Sequence, residues 1–460
     1  MPYVGQRAGK TGHSSFFAKE LEDFLSNCHY LKTMAPEEHA MVESFKKKIT
    51  PADPLRKWLW ASDGSRYIAS VQDGAPTTRI GYIKVSHVGF EWEDYVGLLP
   101  KNQRFVNPLS VAKLRESMRT VVWMLPGSNV QYKTTNSAKT GFRLRLHELF
   151  QETLVNTSKV SLYDTLFKIK AAATGNTENE ILHIRECPEC RHRFNGQGLA
   201  FRVHDDGLPC PVCNHNIYPS DALGFHQEFE EHGANEGLFT RLMATLEVLL
   251  MVQRWISKEK EDIEFTENAI FFYDGLLGLY GEAAWLCKGI LKIYLTLKHH
   301  LLSSGKKPPL VIGVAKTGQL MHHAEAILTD LEINDVVPLS MNYRRNILKQ
   351  NIDDPRRPFF STRWGQEFIW RSPQNQPVVI SLPFWTADFE NEKENIHAVE
   401  HYPELAEVIG ALSVMDCALF PSAFIPIVLA HEEASIAWEP GGRLLTEATK
   451  KALLAGSSQE

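Results

Sequence analysis

An α/β architecture around a mixed sheet is what this sequence predicts, and three observations predict it. Short apolar runs such as NAIFFYDG (268–275) and PPLVIGVAKTG (308–318) read as strands, bounded by Pro, Gly or Asp-Gly. Between them lie segments with apolar residues at helical spacing, such as EGLFTRLMATLEVLLMVQRW (236–255). The two kinds alternate, which is the signature of helices packed on a sheet.

In chain order, FFAKELEDFLSNCHYL and EEHAMVESFKKKI make residues 15–50 helical, and Pro51 and Pro54 end the run. WLWASDGSRYIASVQ (58–72) reads as a strand, a tight Asp-Gly turn and a returning segment. TRIGYIKVSHVGFEW (78–92), rich in β-branched and aromatic residues, is a second long strand. Residues 108–125 read as helix, 126–141 as a polar loop, 142–173 as helix, and TGNTENE (174–180) as a linker. A cysteine module follows. Beyond it come a helix over 236–262, the strand 268–275 and a helix over 283–305 stopped by Gly305. The strand 308–318, strand-like runs at FIWRS and QPVVISLPFW, and a final helix IPIVLAHEEASIAW (425–438) complete the chain. The expected organisation is an N-terminal helical region at 1–50, a core in two parts at 51–180 and 221–460, and an inserted module at 181–220.

The 460 residues are 43% hydrophobic and 23% charged, enough to bury a large core. A net charge of −6 argues against a protein that is basic throughout, although a local basic groove beside an acidic metal site remains compatible with it. No apolar run approaches the roughly 18 residues of a membrane span, and the polar start MPYVGQRAGKTGHSS lacks a secretory core, so a cytoplasmic location is expected. The odd count of seven cysteines, two close pairs plus Cys28, Cys287 and Cys417, favours metal thiolates over disulfides.

Cys187, Cys190, Cys210 and Cys213 form C-x2-C-x19-C-x2-C, the spacing of a four-cysteine zinc ribbon. Four thiolates close a tetrahedral site and leave no position for a substrate, so its zinc would be structural; His192, His204 and His215 are then not needed as ligands. Arg185, Arg191, Arg193 and Arg202 could contact phosphates. The alternative is a stapled insertion that packs on its own protein or on a partner.

Asp63 and Asp274 each end an apolar run at an Asp-Gly step. An isolated Asp-Gly is ordinary turn chemistry. Carboxylates at the ends of adjacent buried strands differ, because their repulsion calls for a cation, and oxygen ligands suit Mg²⁺ or Mn²⁺. Glu247 stands among apolar residues in RLMATLEVLL and would complete such a set. Glu148 and Glu152, in LHELFQETL, are rivals for that role.

In their order and spacing these motifs resemble the NurA nuclease family: DGS after a strand, a helix glutamate, a strand ending in Asp-Gly, then VIGVAKT. FPSAFIPIVLAHEEASI is similar to that family's closing segment. The resemblance covers most of the chain outside the cysteine module and the first fifty residues. It implies an RNase H-like core, Mn²⁺ or Mg²⁺ as cofactor, and cleavage of DNA in end processing or defence against foreign DNA. It also implies a homodimer working with a hexameric HerA-type ATPase. Residue by residue, it assigns catalytic positions to Asp63, Glu247, Asp274, Lys316, Tyr343 and His431, the first three holding metal. Arg344 and Arg345, beside Tyr343, would grip the DNA backbone.

A competing reading is a non-catalytic adaptor that docks DNA onto a translocase, and a third is a zinc-ribbon nucleic-acid binder with an unrelated core. The sequence has no GxxxxGK[ST] loop, so any motor is another subunit.

Overall fold

The computed structural model of this chain describes residues 24–28, 34–53, 56–72, 77–97, 118–154, 160–175, 180–203, 205–257, 260–356, 358–415, 424–436 and 441–456. The chain divides into two compact units, residues 1–45 and 46–460. In the first, helix α1 (Pro36–Phe45) starts on a proline and carries Glu37 and Glu38 in its first turn, where free N–H groups favour negative charge. Residues 15–23 and 29–33 of the region expected as helix lie outside the described residues, and Lys47–Lys48 at its end is a strand rather than helix.

The second unit is built on a mixed sheet of nine strands among the described residues. In chain order the strands are β1 (Lys47–Lys48), β2 (Trp58–Gln72), β3 (Thr78–Glu91) and β4 (Arg119–Pro126), then β5 (Leu182–Ile184), β6 (Leu199–Phe201), β7 (Leu208–Pro209) and β8 (Asn216–Ile217). They continue with β9 (Ala269–Asp274), β10 (Leu310–Ala315), β11 (Asp335–Pro338), β12 (Gly365–Arg371) and β13 (Pro377–Pro383). The sheet order is β1-β11-β12-β13-β10-β9-β2-β3-β4, while β5–β6 and β7–β8 form separate ribbons. Strands β2, β3 and β4 make an antiparallel meander. On the far side of β2, β9 and β10 join in parallel. This mixed sheet, flanked by helices, is the expected architecture, and β11–β13 extend it antiparallel.

The helices that matter below are α2 (Ala138–Glu152), α3 (Leu162–Thr174), α4 (Glu236–Trp255), α5 (Leu286–Ser303), α6 (Gln319–Ala326), α7 (Met341–Asn346), α8 (Leu405–Met415), α9 (Ile425–Ala434) and α10 (Arg443–Gly456). Strand alternation divides the core into two layers. Trp60, Ile83, Val85 and Phe271 pack with α2, α3, α4 and α5 on one face. Leu59, Ala61, Ile270, Phe272 and Val314 pack with α8 and α9 on the other. Each of the larger of these side chains contributes about 1.5–3 kcal/mol by leaving water. Strands β9, β10 and β13 are buried on both faces, which is why they read as unbroken apolar runs. Among the described residues no helix is long and apolar enough to cross a membrane.

Three further local expectations are corrected. Asp63-Gly64 is not a turn: β2 runs through it, with Gly64 paired to Val85 in a β3 register that is continuous from Trp58 to Ser70. Residues 119–126 are a strand rather than helix, because RTVVWMLP supplies β-branched residues to pair with β3; residues 108–117 lie outside the described set. The segment at 425 is not the last helix, since α10 follows it.

Candidate active site

Strands β2 and β9 run parallel with Ser62 opposite Tyr273, so the next residues, Asp63 and Asp274, emerge side by side. Asp274 is in turn opposite Val314 of β10, and Lys316 lies just past the end of that strand. Alternation sends Asp63 to the face of α8 and α9, along with Leu59 and Ala61. Gly64 falls on the opposite face, against α4. A Cβ on Gly64 would lie 2.5 Å from Glu247 Oε1 and 2.7 Å from Met243 Cγ. The missing side chain thus opens a window through which the α4 glutamate reaches the strand that carries Asp63.

Asp63 is 5% exposed and Glu247 4%, so both carboxylates are nearly out of water. Asp63 Oδ1 accepts from the Gly64 N–H at 2.7 Å, and Oδ2 lies 2.6 Å from His431 Nδ1. Asp274 Oδ2 accepts from Lys316 Nζ at 2.7 Å. No described residue donates to Glu247. Burial, then the charge of Asp274, raises the Asp63 pKa, and Lys316 and His431 oppose that rise. Burial drives Glu247 well above the usual glutamate range, and Asp63 and Asp274 push it further. Asp63 and Glu247 therefore approach each other across β2 with too little positive charge, which disfavours their joint ionisation unless a cation arrives. Their oxygen donors fit a hard divalent ion, with Asp63, Glu247 and Asp274 as its ligands. They are not drawn into a closed cage: Lys316 and His431 already hold an oxygen of Asp274 and Asp63.

The other residues singled out have different partners. Glu148 is bound by Tyr132, Lys133 and Arg145, and Glu152 by Arg145, so neither rivals Glu247 in place. Tyr343 is buried in α7, its hydroxyl 2.7 Å from His323 Nε2. Arg344 has no exposed surface and forms an ion pair with Glu367, which corrects the expectation that it grips a DNA backbone. Arg345 is partly exposed but held by Asp353 and Glu394.

In the cysteine module, Cys187 and Cys213 Sγ lie 3.7 Å apart, and Cys190 and Cys210 Sγ 3.8 Å. All four sulfurs fall within 4.8 Å of one another, the one such group among the described residues, and could hold a metal ion. The two CPxC turns repeat each other. Cys187 N–H donates to His192 O and Cys210 N–H to His215 O, both at 2.9 Å. The residue after each second cysteine, Arg191 or Asn214, takes φ of 56° or 60°. Buried Arg143 of α2 anchors the module, donating to Glu189 in the first turn and to Asp221 beyond the second. The module also shares the main core, through Phe201, Ile217 and Cys210. At this edge it packs on its own protein, as the stapled-insertion reading expected.

No family model and no curated protein matches the chain. Solved structures do. The chain is similar to NurA nucleases. It aligns with the NurA nuclease from Sulfolobus solfataricus at 9% identity and a TM-score of 0.32, covering 98% of this chain and 97% of that one. NurA with manganese aligns at 11% identity and 0.28, over 97% and 98%. NurA bound to dAMP and manganese aligns at 12% and 0.26, over 95% of each chain. Overlap at this level leaves the chemistry to be read from the site itself.

Two positioning contacts had no sequence signal. Ser65 Oγ donates to Ala434 O, and Lys84 Nζ donates to Glu433 O, so β2 and β3 hold the end of α9 that bears His431. A serine and a lysine on a half-exposed strand look like ordinary surface residues until α9 is in place.

Proposed function

We propose that this protein is a metal-dependent deoxyribonuclease, with Asp63, Glu247 and Asp274 as ligands for Mn²⁺ or Mg²⁺. The convergence of three carboxylates from β2, α4 and β9, two of them buried, carries the reading. A divalent ion bound there supplies Lewis acidity to a phosphodiester and lowers the pKa of a coordinated water. The protein's own groups have complementary tasks. Lys316 can turn from Asp274 toward the negative charge that develops on the phosphate. His431, largely exposed and steered by Asp63 through Nδ1, presents its other ring nitrogen outward to position water or donate a proton to the leaving oxygen. Burial of Asp63 and Glu247 keeps bulk water from competing for the ion.

The four thiols hold structural zinc in this reading. The resemblance noted in the sequence extends the proposal to a homodimer served by a HerA-type hexameric ATPase in DNA end processing or defence, with the cytoplasm as its location.

Cleavage of labelled linear single- and double-stranded DNA in Mn²⁺, Mg²⁺ or EDTA tests the reading, with Asp274→Ala as control and with the ATPase added or omitted. Metal-dependent cutting by wild type, lost in the variant, is expected. Undiminished cutting in EDTA contradicts it. Binding without cutting, even with the ATPase present, marks the protein as an adaptor.

A further inference from the structure

A second charged feature lies between α3, α5 and the cysteine module, and the carboxylate site makes no use of it. Two cavities, of about 850 and 660 Å³, share Trp285 in their walls. Trp285 Nε1 donates to Ala222 O at 3.0 Å, which fixes the ring, and Lys170 Nζ lies 5.1 Å from its centroid. The larger cavity also presents Lys288 and the stacked rings of Phe360 and Phe389, 4.4 Å apart. The smaller presents Arg185, beside Cys187 and Pro188 of the first cysteine turn.

Three of the cations here lack acidic partners. Among the described residues no carboxylate pairs with Lys170, Arg185 or Lys288, whereas most acids in the walls are already engaged. Asp353 is held by Arg345 and Lys393, Asp354 by Arg356, Asp221 by Arg143 and Glu186 by Arg193. Asp388 caps a short helix through Asn391 N–H, and only Glu282 and Glu390 remain without a described partner. The cations also crowd one another. Burial, then Arg185, lowers the Lys170 pKa, and burial, then Lys288, lowers that of Lys292, whose Nζ donates to Ala173 O. Such a group is relieved by an anion.

We propose that this groove binds single-stranded nucleic acid, with phosphates on Lys170, Arg185 and Lys288 and a base against Trp285. Aromatic faces beside unpaired cations suit a strand whose bases are unstacked, since a duplex hides its base faces. The proposal rests on the nuclease reading, and it makes the module's edge part of the substrate path.

Fluorescence anisotropy of a labelled oligo-dT of about 20 nucleotides, on the zinc-loaded full chain without added Mn²⁺ or Mg²⁺ so that cleavage is prevented, tests it. Lys170→Gln with Lys288→Gln should weaken binding about tenfold or more. It should also flatten the slope of log K against log salt by about 1.4, for two phosphate contacts at roughly 0.7 each. Trp285→Leu should weaken oligo-dT about fivefold while leaving an abasic strand of the same length unaffected. Circular dichroism checks that each variant is folded. Unchanged affinity and slope in the lysine variant, equal losses on both strands for Trp285→Leu, or no binding by wild type would overturn the proposal. Asp274→Asn separates the two claims. If it stops cleavage while the lysine variant binds normally, the groove fails and the nuclease reading stands. If it cleaves like wild type while the lysine variant loses binding, the nuclease reading fails and the groove stands.

Discussion

Gly64 and Glu247 meet where β2 passes under α4, so closely that a methyl group on Gly64 would overlap the glutamate's Oε1. The glycine serves close approach rather than a turn, because its backbone stays within the β2–β3 pairing. Gly64→Ala should therefore displace Glu247 and Met243, costing about 1–3 kcal/mol of stability and most of the metal affinity. Thermal melts of Gly64→Ala in wild-type and Glu247→Ala backgrounds check this. The cost should shrink in the double variant, whereas additive costs would mean that the two residues do not contact.

The raised Glu247 pKa links stability to pH with a definite sign. A carboxyl whose folded pKa lies above its unfolded value contributes stability in full below the ordinary glutamate range. That contribution is lost as pH rises through the raised value. Metal-free wild type should therefore fall behind Glu247→Gln in thermal midpoint as pH rises, and added Mn²⁺ should recover more of the midpoint at higher pH. A difference between the two proteins that stays constant with pH would count against this.

Arg143 of α2 forms a buried pair with Asp221 and also holds Glu189 of the cysteine module. Arg143→Ala leaves Asp221 buried without its partner and should cost about 3–5 kcal/mol. Cys210→Ser should abolish the bound metal, one ion per chain by elemental analysis, and lower the unfolding midpoint, because Cys210 and its neighbours belong to the main core. A Cys210→Ser protein that melts with wild type would show the metal to be dispensable for the fold.

Arg344 is a core residue. Arg344→Ala should cost about 1–3 kcal/mol, since Glu367 loses one of its two arginine partners and keeps Arg363, and the folded fraction should bind DNA as wild type does. Denaturant melts and DNA titrations of the same preparation measure both effects. A loss of DNA affinity without a loss of stability would reverse the assignment.

What the sequence revealed follows what is local. Asp63 and Asp274 were legible because each ends an apolar run, and Glu247 because it stands alone in an apolar stretch of helix. The cysteine spacing announced its site outright. Asp63-Gly64 misled because an Asp-Gly step is turn chemistry on its own, and only pairing with β3 keeps it extended. Arg344 misled for a related reason: Glu367, the partner that buries it, is 23 residues away on β12. The strand β4 was hidden because its identity comes from pairing with β3 rather than from its own spacing.

The most direct test of the central claim is calorimetric titration of Mn²⁺ into zinc-loaded protein, wild type against Glu247→Gln, with DNA cleavage measured on the same samples. The expected result is Mn²⁺ binding that weakens about tenfold or more in the variant, with cleavage falling in step. Equal Mn²⁺ affinity and equal cleavage in the two proteins would contradict the assignment of Asp63, Glu247 and Asp274 as one cation site.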